Sequence, residues 1–181
     1  MKRDVLILPI EESRMTDWDT IHRTFVEAFR AGWDRPHPHA LDEFLDDHTS
    51  FVQPMLRDGT GREFWWEETT RSLGLMPDLR ADVLNWSGTG EHLFIHIRFT
   101  ATLGGKPVTW DAVDALRLSD AGVLIHRESF FDSLPVAATL VGRPRSWWAW
   151  WRSGIGPLTS RRRFLRRPNA VPLTTTTPGG T

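Results

Sequence analysis

Residues 93–132 alternate apolar and polar side chains with a period of two, the pattern of β-strands that bury one face. The pattern is clearest where every second residue is apolar: Leu93, Ile95, Ile97, Phe99, Ala101 and Leu103. With the preceding segment, it predicts strands over 81–86, 92–103, 107–118 and 123–131, joined by short turns that contain glycine. Short turns place successive strands side by side, so the chain is restricted to an antiparallel meander.

Three helices are predicted before these strands. Apolar residues at helical spacing place the first over 17–31, with Thr16 and Asp19 as its capping pair and Gly32 as its end. A short second helix covers 41–45, an extended segment follows over 49–52, and a third helix covers 62–72. Helices followed by a curled sheet predict an α+β fold: a cone-shaped α+β barrel with three N-terminal helices packed on a curved antiparallel sheet.

One carboxylate, Asp114, falls on the strand face that Trp110, Ala112, Leu116 and Leu118 occupy. A charge among apolar side chains costs free energy unless a partner or a chemical role offsets it. A protonated Asp114 could donate to an enolate oxygen, and an ionised one could remove a proton alpha to a carbonyl group. The alternative is a structural acid bonded to Arg, Trp or a buried water.

The charges are divided unevenly along the 181 residues. Residues 1–140 contain all 23 Asp and Glu but only 14 of the 22 Lys and Arg, a net charge of −9, whereas residues 141–181 contain eight Arg and no acid. This tail also carries four tryptophans within 147–151 and a basic run over 161–167. We expect the tail to pack on the acidic body, to attach to an anionic membrane surface, or to bind nucleic acid or a protein partner.

The composition excludes several kinds of site. The absence of cysteine removes disulfides, thiolate nucleophiles and Cys-type zinc sites, and it fits a cytoplasmic protein. No apolar stretch approaches the length of a membrane span. Three histidines lie near acids, His37, His39 and His48, but their loop and solvated helix face argue against a ligand set, so we expect no metal and no cofactor.

Four groups of residues together resemble the nuclear transport factor 2-like superfamily, and within it SnoaL-like polyketide cyclases and ketosteroid isomerases. They are Phe25-Val26-Glu27-Ala28-Phe29; Leu45-Asp46-Asp47 before a segment that ends in Pro54; Gly61-Arg62-Glu63; and Val113-Asp114-Ala115-Leu116-Arg117 followed by Phe130-Phe131-Asp132. The resemblance covers roughly residues 16–135. It implies a SnoaL-like cone domain over 16–140 and a homodimer formed through the sheet. An N-terminal extension over 1–15 and the Trp/Arg-rich tail over 141–181 then remain, and the Thr/Pro/Gly composition predicts that the end of this tail is disordered.

The match to ketosteroid isomerases is partial. Asp114 matches the buried acid of their oxyanion hole. Phe25 stands where those enzymes have a tyrosine, and Gln53 stands where they have the aspartate that acts as general base. The Asp-Arg-Asp set of limonene-type epoxide hydrolases is replaced by Ile97, Ile95 and Ser129, which argues against epoxide hydrolysis.

The resemblance and the buried acid together imply a SnoaL-like small-molecule pocket protein. In one interpretation it is an acid/base isomerase, cyclase or dehydratase that acts on an apolar carbonyl-containing substrate through Asp114. The predicted substrate-binding residues are Trp110, Trp86, Gln53, Phe25, Ile97 and Phe131. In the other interpretation the chain is a non-catalytic ligand-binding or peripheral membrane-associated module of the same fold.

Overall fold

The structure of the chain is a computed structural model that describes residues 16–155, apart from the side chain of Arg145. The predicted N-terminal extension over 1–15, the basic run over 161–167 and the predicted disordered end of the tail lie outside the described residues. The division of the chain into these segments stays a prediction.

Four α-helices and six strands make up the described chain, together with two short 3₁₀ turns. The helices are α1 (Trp18–Asp34), α2 (Arg62–Leu75), α3 (Leu134–Val141) and α4 (Trp147–Ser153). The strands are β1 (Ser50–Val52), β2 (Gly59–Thr60), β3 (Arg80–Thr89), β4 (His92–Leu103), β5 (Lys106–Leu118) and β6 (Leu124–Phe131). The 3₁₀ turns cover Asp42–Phe44 and Pro144–Ser146.

All six strands form one curved, unclosed sheet in the order β2-β1-β6-β5-β4-β3. The predicted meander is confirmed, since β3, β4, β5 and β6 pair antiparallel in sequence order. The sheet also has a parallel pair that the alternation did not predict, because β1 lies parallel to β6. The α+β cone predicted from the element order is therefore confirmed as an open, curved sheet with helices on its inner face.

The first helix begins one residue later than predicted and uses a different cap. Asp17, rather than the Thr16 and Asp19 pair, accepts hydrogen bonds from Thr20 N at 3.1 Å and Thr20 Oγ1 at 2.7 Å. One face of α1 is buried and packs against β3; it carries His22, Phe25, Val26, Phe29 and Trp33. That face fixes the helix across the concave side of the sheet.

The helix boundaries differ from the prediction in two further places. The α1 helix continues past Gly32 to Asp34, and a Cβ on Gly32 would lie 3.2 Å from Ala40 Cβ. The glycine thus permits a close approach of the following loop instead of ending the helix. The predicted second helix is only a 3₁₀ turn over Asp42–Phe44, so two α-helices precede the meander instead of three.

The last described elements pack on the body. The α3 helix contacts β5, and α4 contacts α2. Val136 and Leu140 on α3 are buried, and so is Ile155 of the predicted tail, which therefore contributes to the hydrophobic core. No helix within residues 16–155 is long and apolar enough to cross a membrane.

Candidate functional site

A cavity of about 100 Å³ lies between α2 and the inner face of the sheet. Its wall is formed by the end of α1, the loop after β1, α2, strands β4 to β6, α3 and the residues after α4. Most of the lining is apolar, and its aromatic members are Trp33, Trp65, Phe99, Trp110 and Phe131. Val136 and Ile155 complete the wall from the C-terminal side.

Six polar side chains interrupt this apolar wall, and one of them, Ser72 on α2, is half-buried. The other five are buried: Gln53, Glu68, Thr69, Arg127 and Ser129. They come from three elements, because Gln53 follows β1, two lie on α2, and two lie on β6. Strand alternation sets the positions on β6, where Arg127, Ser129 and Phe131 point to the same side of the sheet. The polar groups therefore reach the cavity from opposite walls.

Asp114 does not line this cavity; it lies behind Arg127 and Ser129. Its side chain is fully buried, and Oδ2 accepts a hydrogen bond from Arg127 Nε at 2.7 Å. Oδ1 accepts a hydrogen bond from Ser129 Oγ at 2.5 Å. Asp114 lies directly opposite Ser129 in the β5–β6 ladder, which makes this contact a cross-strand pair. The carboxylate is thus a satisfied acceptor that orients two groups at the cavity wall.

Arg127 is the charged group that this arrangement presents to the cavity. Its guanidinium carbon lies 5.2 Å from the ring centroid of Trp65, a cation–π contact on the face of the indole. Its Nε donates to Asp114, whereas neither Nη atom donates to an acceptor within residues 16–155. A planar guanidinium carries five N–H donors. Most of the hydrogen-bonding capacity of Arg127 is therefore unused by the described part of the chain.

Glu68 reaches the cavity from α2 and is held by two arginines. Its Oε1 accepts hydrogen bonds from Arg57 Nε at 2.9 Å, from Arg57 Nη2 at 2.5 Å and from Arg71 Nη1 at 3.2 Å. Burial disfavours the charge on Arg57, but hydrogen bonds to Glu68 and Glu67 hold the pKa of that guanidinium above its usual value. The second oxygen, Oε2 of Glu68, receives no hydrogen bond from the described residues.

The predicted site residues fall into two groups. Gln53, Trp110 and Phe131 line the cavity together. Phe25 and Ile97 lie in the core and not at the cavity, since Phe25 packs edge-on against Phe44 and Ile97 is fully covered by the fold.

Trp86 also lies away from the cavity, with its ring centroid 6.5 Å from that of His22. Within residues 16–155, no group of three or more His, Asp and Glu side chains could hold a metal ion.

The sequence analysis did not single out Arg127, Trp33, Trp65 or Glu68 as site residues. One signal was available for β6. Phe131 was placed in the pocket, and the period of two then turns Ser129 and Arg127 to the same side. No comparable signal existed for Trp33 and Trp65, because their positions depend on how α1 and α2 pack on the sheet. Both indole Nε1 atoms are buried without a hydrogen-bond partner among the described residues.

Comparison of the sequence with known families gives one match. The sequence model described as the SnoaL-like domain matches residues 26–126, which is more than half of the chain. That stretch includes α1 from its third turn, α2 and most of the sheet, and it ends before α3. None of the curated proteins that were compared matches the sequence.

Solved structures with the same fold are similar over about two thirds of the chain. A protein of ketosteroid isomerase-like fold from Catenulispora acidiphila DSM 44928, solved in complex with trimethylamine, is 20% identical with a TM-score of 0.60, over 68% of this chain and 95% of that one. A protein assigned as a SnoaL-like polyketide cyclase from Jannaschia sp. CCS1 is 19% identical with a TM-score of 0.59, over 68% of this chain and 96% of that one. TerC co-crystallised with polyporic acid is 16% identical with a TM-score of 0.61, over 67% of this chain and 98% of that one. At these identities the likeness shows the fold.

Proposed function

Because the chain belongs to the SnoaL-like domain family, we propose that its cavity binds a small apolar molecule that carries a carbonyl oxygen. The observation that carries this proposal is Arg127, a buried guanidinium at the wall of an otherwise apolar cavity. Its two Nη groups have no acceptor within residues 16–155. A bound oxygen would supply that acceptor.

The charges around Arg127 favour a neutral acceptor over an anion. Asp114 already balances the guanidinium charge through a buried ion pair at 2.7 Å. A bound carboxylate would leave a net negative charge in a low-dielectric wall, which costs free energy, whereas a carbonyl oxygen would not. The indole N–H groups of Trp33 and Trp65, which have no acceptor in the described part of the chain, also favour a ligand that accepts hydrogen bonds.

The cavity volume limits the size of the ligand. At about 100 Å³ it is smaller than the roughly 150 Å³ cavity that holds a benzene molecule. A short-chain carbonyl compound therefore fits the cavity as it stands, and a single-ring carbonyl compound requires a small outward movement of the wall. A polycyclic ligand would require the wall formed by α2 or by Val136 and Ile155 to move outward.

The same geometry supports a catalytic step on that ligand. The C–H bond next to the carbonyl group breaks, its proton moves to Oε2 of Glu68, which receives no hydrogen bond from residues 16–155, and its electron pair enters an enolate whose oxygen accepts hydrogen bonds from Arg127. In a β,γ-unsaturated carbonyl compound the product is a dienolate, and return of the proton from Glu68 to the γ carbon completes an isomerisation. In a β-hydroxy carbonyl compound the carbonyl group re-forms as the β C–O bond breaks, and Glu68 returns the proton to the departing hydroxide, which leaves as water. In this scheme Asp114 is a positioning residue for Arg127, and its predicted role as the proton-transferring group remains to be tested by kinetics.

The alternative function is ligand binding without catalysis. It is favoured by Phe25 and Gln53, which stand where the resemblance to ketosteroid isomerases implies a tyrosine and a general base. Peripheral membrane attachment, cytoplasmic location and a homodimer also stay predictions. For the homodimer, the support is an apolar patch on the outer face of the sheet, formed by Phe94, Val113 and Phe130.

Binding is tested with cyclohexanone against cyclohexene, a matched pair that differs in the oxygen. Each is titrated into ¹⁵N-labelled protein while the indole N–H resonances are followed by NMR. We expect cyclohexanone to shift the signals of the cavity tryptophans and to bind at least tenfold more tightly than cyclohexene, because a hydrogen bond to a charged donor contributes about 1.5–3 kcal/mol. That preference should disappear in the double variant Asp114→Val/Arg127→Met and persist in Arg117→Met, which removes an arginine exposed on the outer face. Equal affinities for the two compounds in the wild type would refute the role of Arg127.

Catalysis is tested by exchange of the α-hydrogens of cyclohexanone in deuterated water. The wild type should accelerate exchange, and Glu68→Gln should abolish the acceleration. Glu67→Gln is the matched control, because Glu67 pairs with the same two arginines but is exposed. Binding without accelerated exchange would establish the non-catalytic alternative.

A further inference from the structure

The α4 helix exposes three tryptophans on one side. The exposed fraction is 48% for Trp147, 70% for Trp148 and 63% for Trp151. Trp148 and Trp151 are three residues apart and Trp147 and Trp151 four, so the three side chains share one face of the helix. Trp150 faces the body instead, where its Nε1 donates to Ile155 O at 2.5 Å. Packing of α4 on α2 therefore accounts for Trp150 but leaves three indoles facing outward.

An apolar residue extends this face beyond the helix. Val141 is 57% exposed, and Trp147 Nε1 donates to Val141 O at 3.2 Å, so the two residues are adjacent. We call Val141, Trp147, Trp148 and Trp151 the tryptophan surface. Large exposed apolar groups gathered in one place are unusual on a soluble domain and mark contact surfaces.

The segment of the chain that carries the tryptophan surface has charges of one sign in its sequence. Arg152 is exposed on the same helix, four residues after Trp148. The last acidic residue of the chain is Asp132, so every charged residue after it is an arginine. Five of those eight arginines lie over 161–167, shortly after α4 in the sequence. The body over 1–140 carries the opposite charge, −9, so the end of the chain is a distinct basic segment.

We propose that the tryptophan surface binds an anionic lipid bilayer. Indole rings are favoured at the depth of lipid headgroups, where the ring contacts acyl chains and the N–H stays hydrated. Arginines beside them gain energy from the negative surface potential of anionic lipids. The seven-residue α4 helix is roughly 10 Å long, so it lies on the bilayer and does not cross it. Single-stranded nucleic acid is less suited, because it is bound by aromatic platforms spaced along a basic groove rather than by one contiguous apolar patch.

The test is co-sedimentation of the full-length chain with vesicles of phosphatidylcholine and phosphatidylglycerol, with pure phosphatidylcholine vesicles as the neutral reference. We expect binding at least tenfold stronger to the anionic vesicles, weakened by added salt. Trp148→Ser/Trp151→Ser should reduce binding at least tenfold, and Arg152→Gln should reduce it several-fold on anionic vesicles only. Leu84→Ser is the matched control, because it removes an exposed apolar side chain from the outer face of β3. Thermal unfolding followed by circular dichroism checks that each variant is folded.

Four outcomes would overturn the proposal. The first is the absence of binding to anionic vesicles by the folded wild type, and the second is unchanged binding by the double tryptophan variant. The third is binding to single-stranded RNA, but not to vesicles, that depends on Trp148 and Trp151. Self-association that is lost in the same variant, without vesicle binding, would assign the surface to a second copy of the chain and would also refute the lipid proposal.

Discussion

Asp114 holds Arg127 at the cavity wall through a 2.7 Å hydrogen bond while remaining outside the cavity itself. Asp114, the acid that the strand pattern singled out, thus lies behind Arg127, which is the residue that can contact a ligand. The pair is almost fully buried, and Ser129 completes it by donating to the other carboxylate oxygen. This relationship has consequences for stability that can be measured without knowing the ligand.

Removing Arg127 alone should be far more damaging than replacing the whole pair. Arg127→Met leaves the buried Asp114 charge unbalanced and should lower the free energy of unfolding by about 3–5 kcal/mol. In Asp114→Val/Arg127→Met both charges are gone, and most of the loss should be recovered. Urea denaturation of both variants gives the comparison, with Arg117→Met expected within about 1 kcal/mol of the wild type. If the double variant is no more stable than Arg127→Met, the unbalanced charge of Asp114 is not the cause of the loss of stability.

Two glycines should respond oppositely to alanine. A Cβ on Gly88 would lie 2.4 Å from Nδ1 of the buried His22, so Gly88→Ala should cost about 1–3 kcal/mol of stability. Gly74 lies near the end of α2 with nothing within 4 Å of its added Cβ, so Gly74→Ala should stabilise the fold by about 0.5–1 kcal/mol. Thermal unfolding measures both. If His22→Ala does not relieve the effect of Gly88→Ala in the double variant, the contact with His22 is not its cause.

The parallel pairing of β1 with β6 should weaken as the pH falls. His126 lies 2.7 Å from Ser50 Oγ across this pair, and burial lowers the pKa of its imidazole, with Glu128 opposing that shift and Arg117 reinforcing it. The unfolded chain therefore takes up a proton before the folded chain does. The contribution of His126 is complete above its unfolded pKa of about 6.5 and is lost as the pH falls from there through the folded value.

The measurement is the free energy of unfolding in urea between pH 7 and pH 5 by circular dichroism. His126→Gln should reduce the slope of stability against pH over this interval. His92→Gln, which changes an exposed histidine, should leave the slope as in the wild type. Equal slopes for the wild type and His126→Gln would show that His126 does not cause the pH dependence of stability.

The homodimer implied by the resemblance should depend on the outer face of the sheet. Phe130 is 52% exposed and is the cross-strand partner of Val113, so a lysine at this position would place a charge in the middle of the apolar patch. Sedimentation equilibrium should show a dimer for the wild type and a monomer for Phe130→Lys. Leu134→Lys, at an exposed position on α3, should remain dimeric. A monomeric wild type would contradict the prediction outright.

Much of the fold could be predicted because the alternation of apolar and polar residues that marks a strand lies within that strand's own sequence. The alternation from Leu93 to Leu103 places β4 with the bounds that the structure has, and the burial of Asp114 follows from the same period of two. The parallel pairing of β1 could not be predicted, since Ser50 meets His126 only after the whole meander has formed. A three-residue strand carries too little pattern to specify its partner.

The site was predicted less well because a cavity is defined by several elements at once. Trp110, Phe131 and Gln53 lie at its wall, whereas Ile97 shares the inner face of the sheet but is covered by packing. Periodicity assigns a side chain to a face, and only the positions of α1 and α2 decide which part of that face stays open. The same reason explains why Glu68 was not singled out, since its place at the cavity depends on how α2 packs on the sheet.

Val136 and Ile155 close the cavity from a part of the chain that is synthesised after every strand of the sheet. When β6 has left the ribosome but α4 has not, the cavity of the nascent chain lacks the side that these residues close. Its aromatic residues Trp65 and Trp110 are then still open to water. The cavity is therefore complete only once Ile155 has been added, and a chain that stops before Ile155 would carry the whole sheet with its apolar cavity open to water.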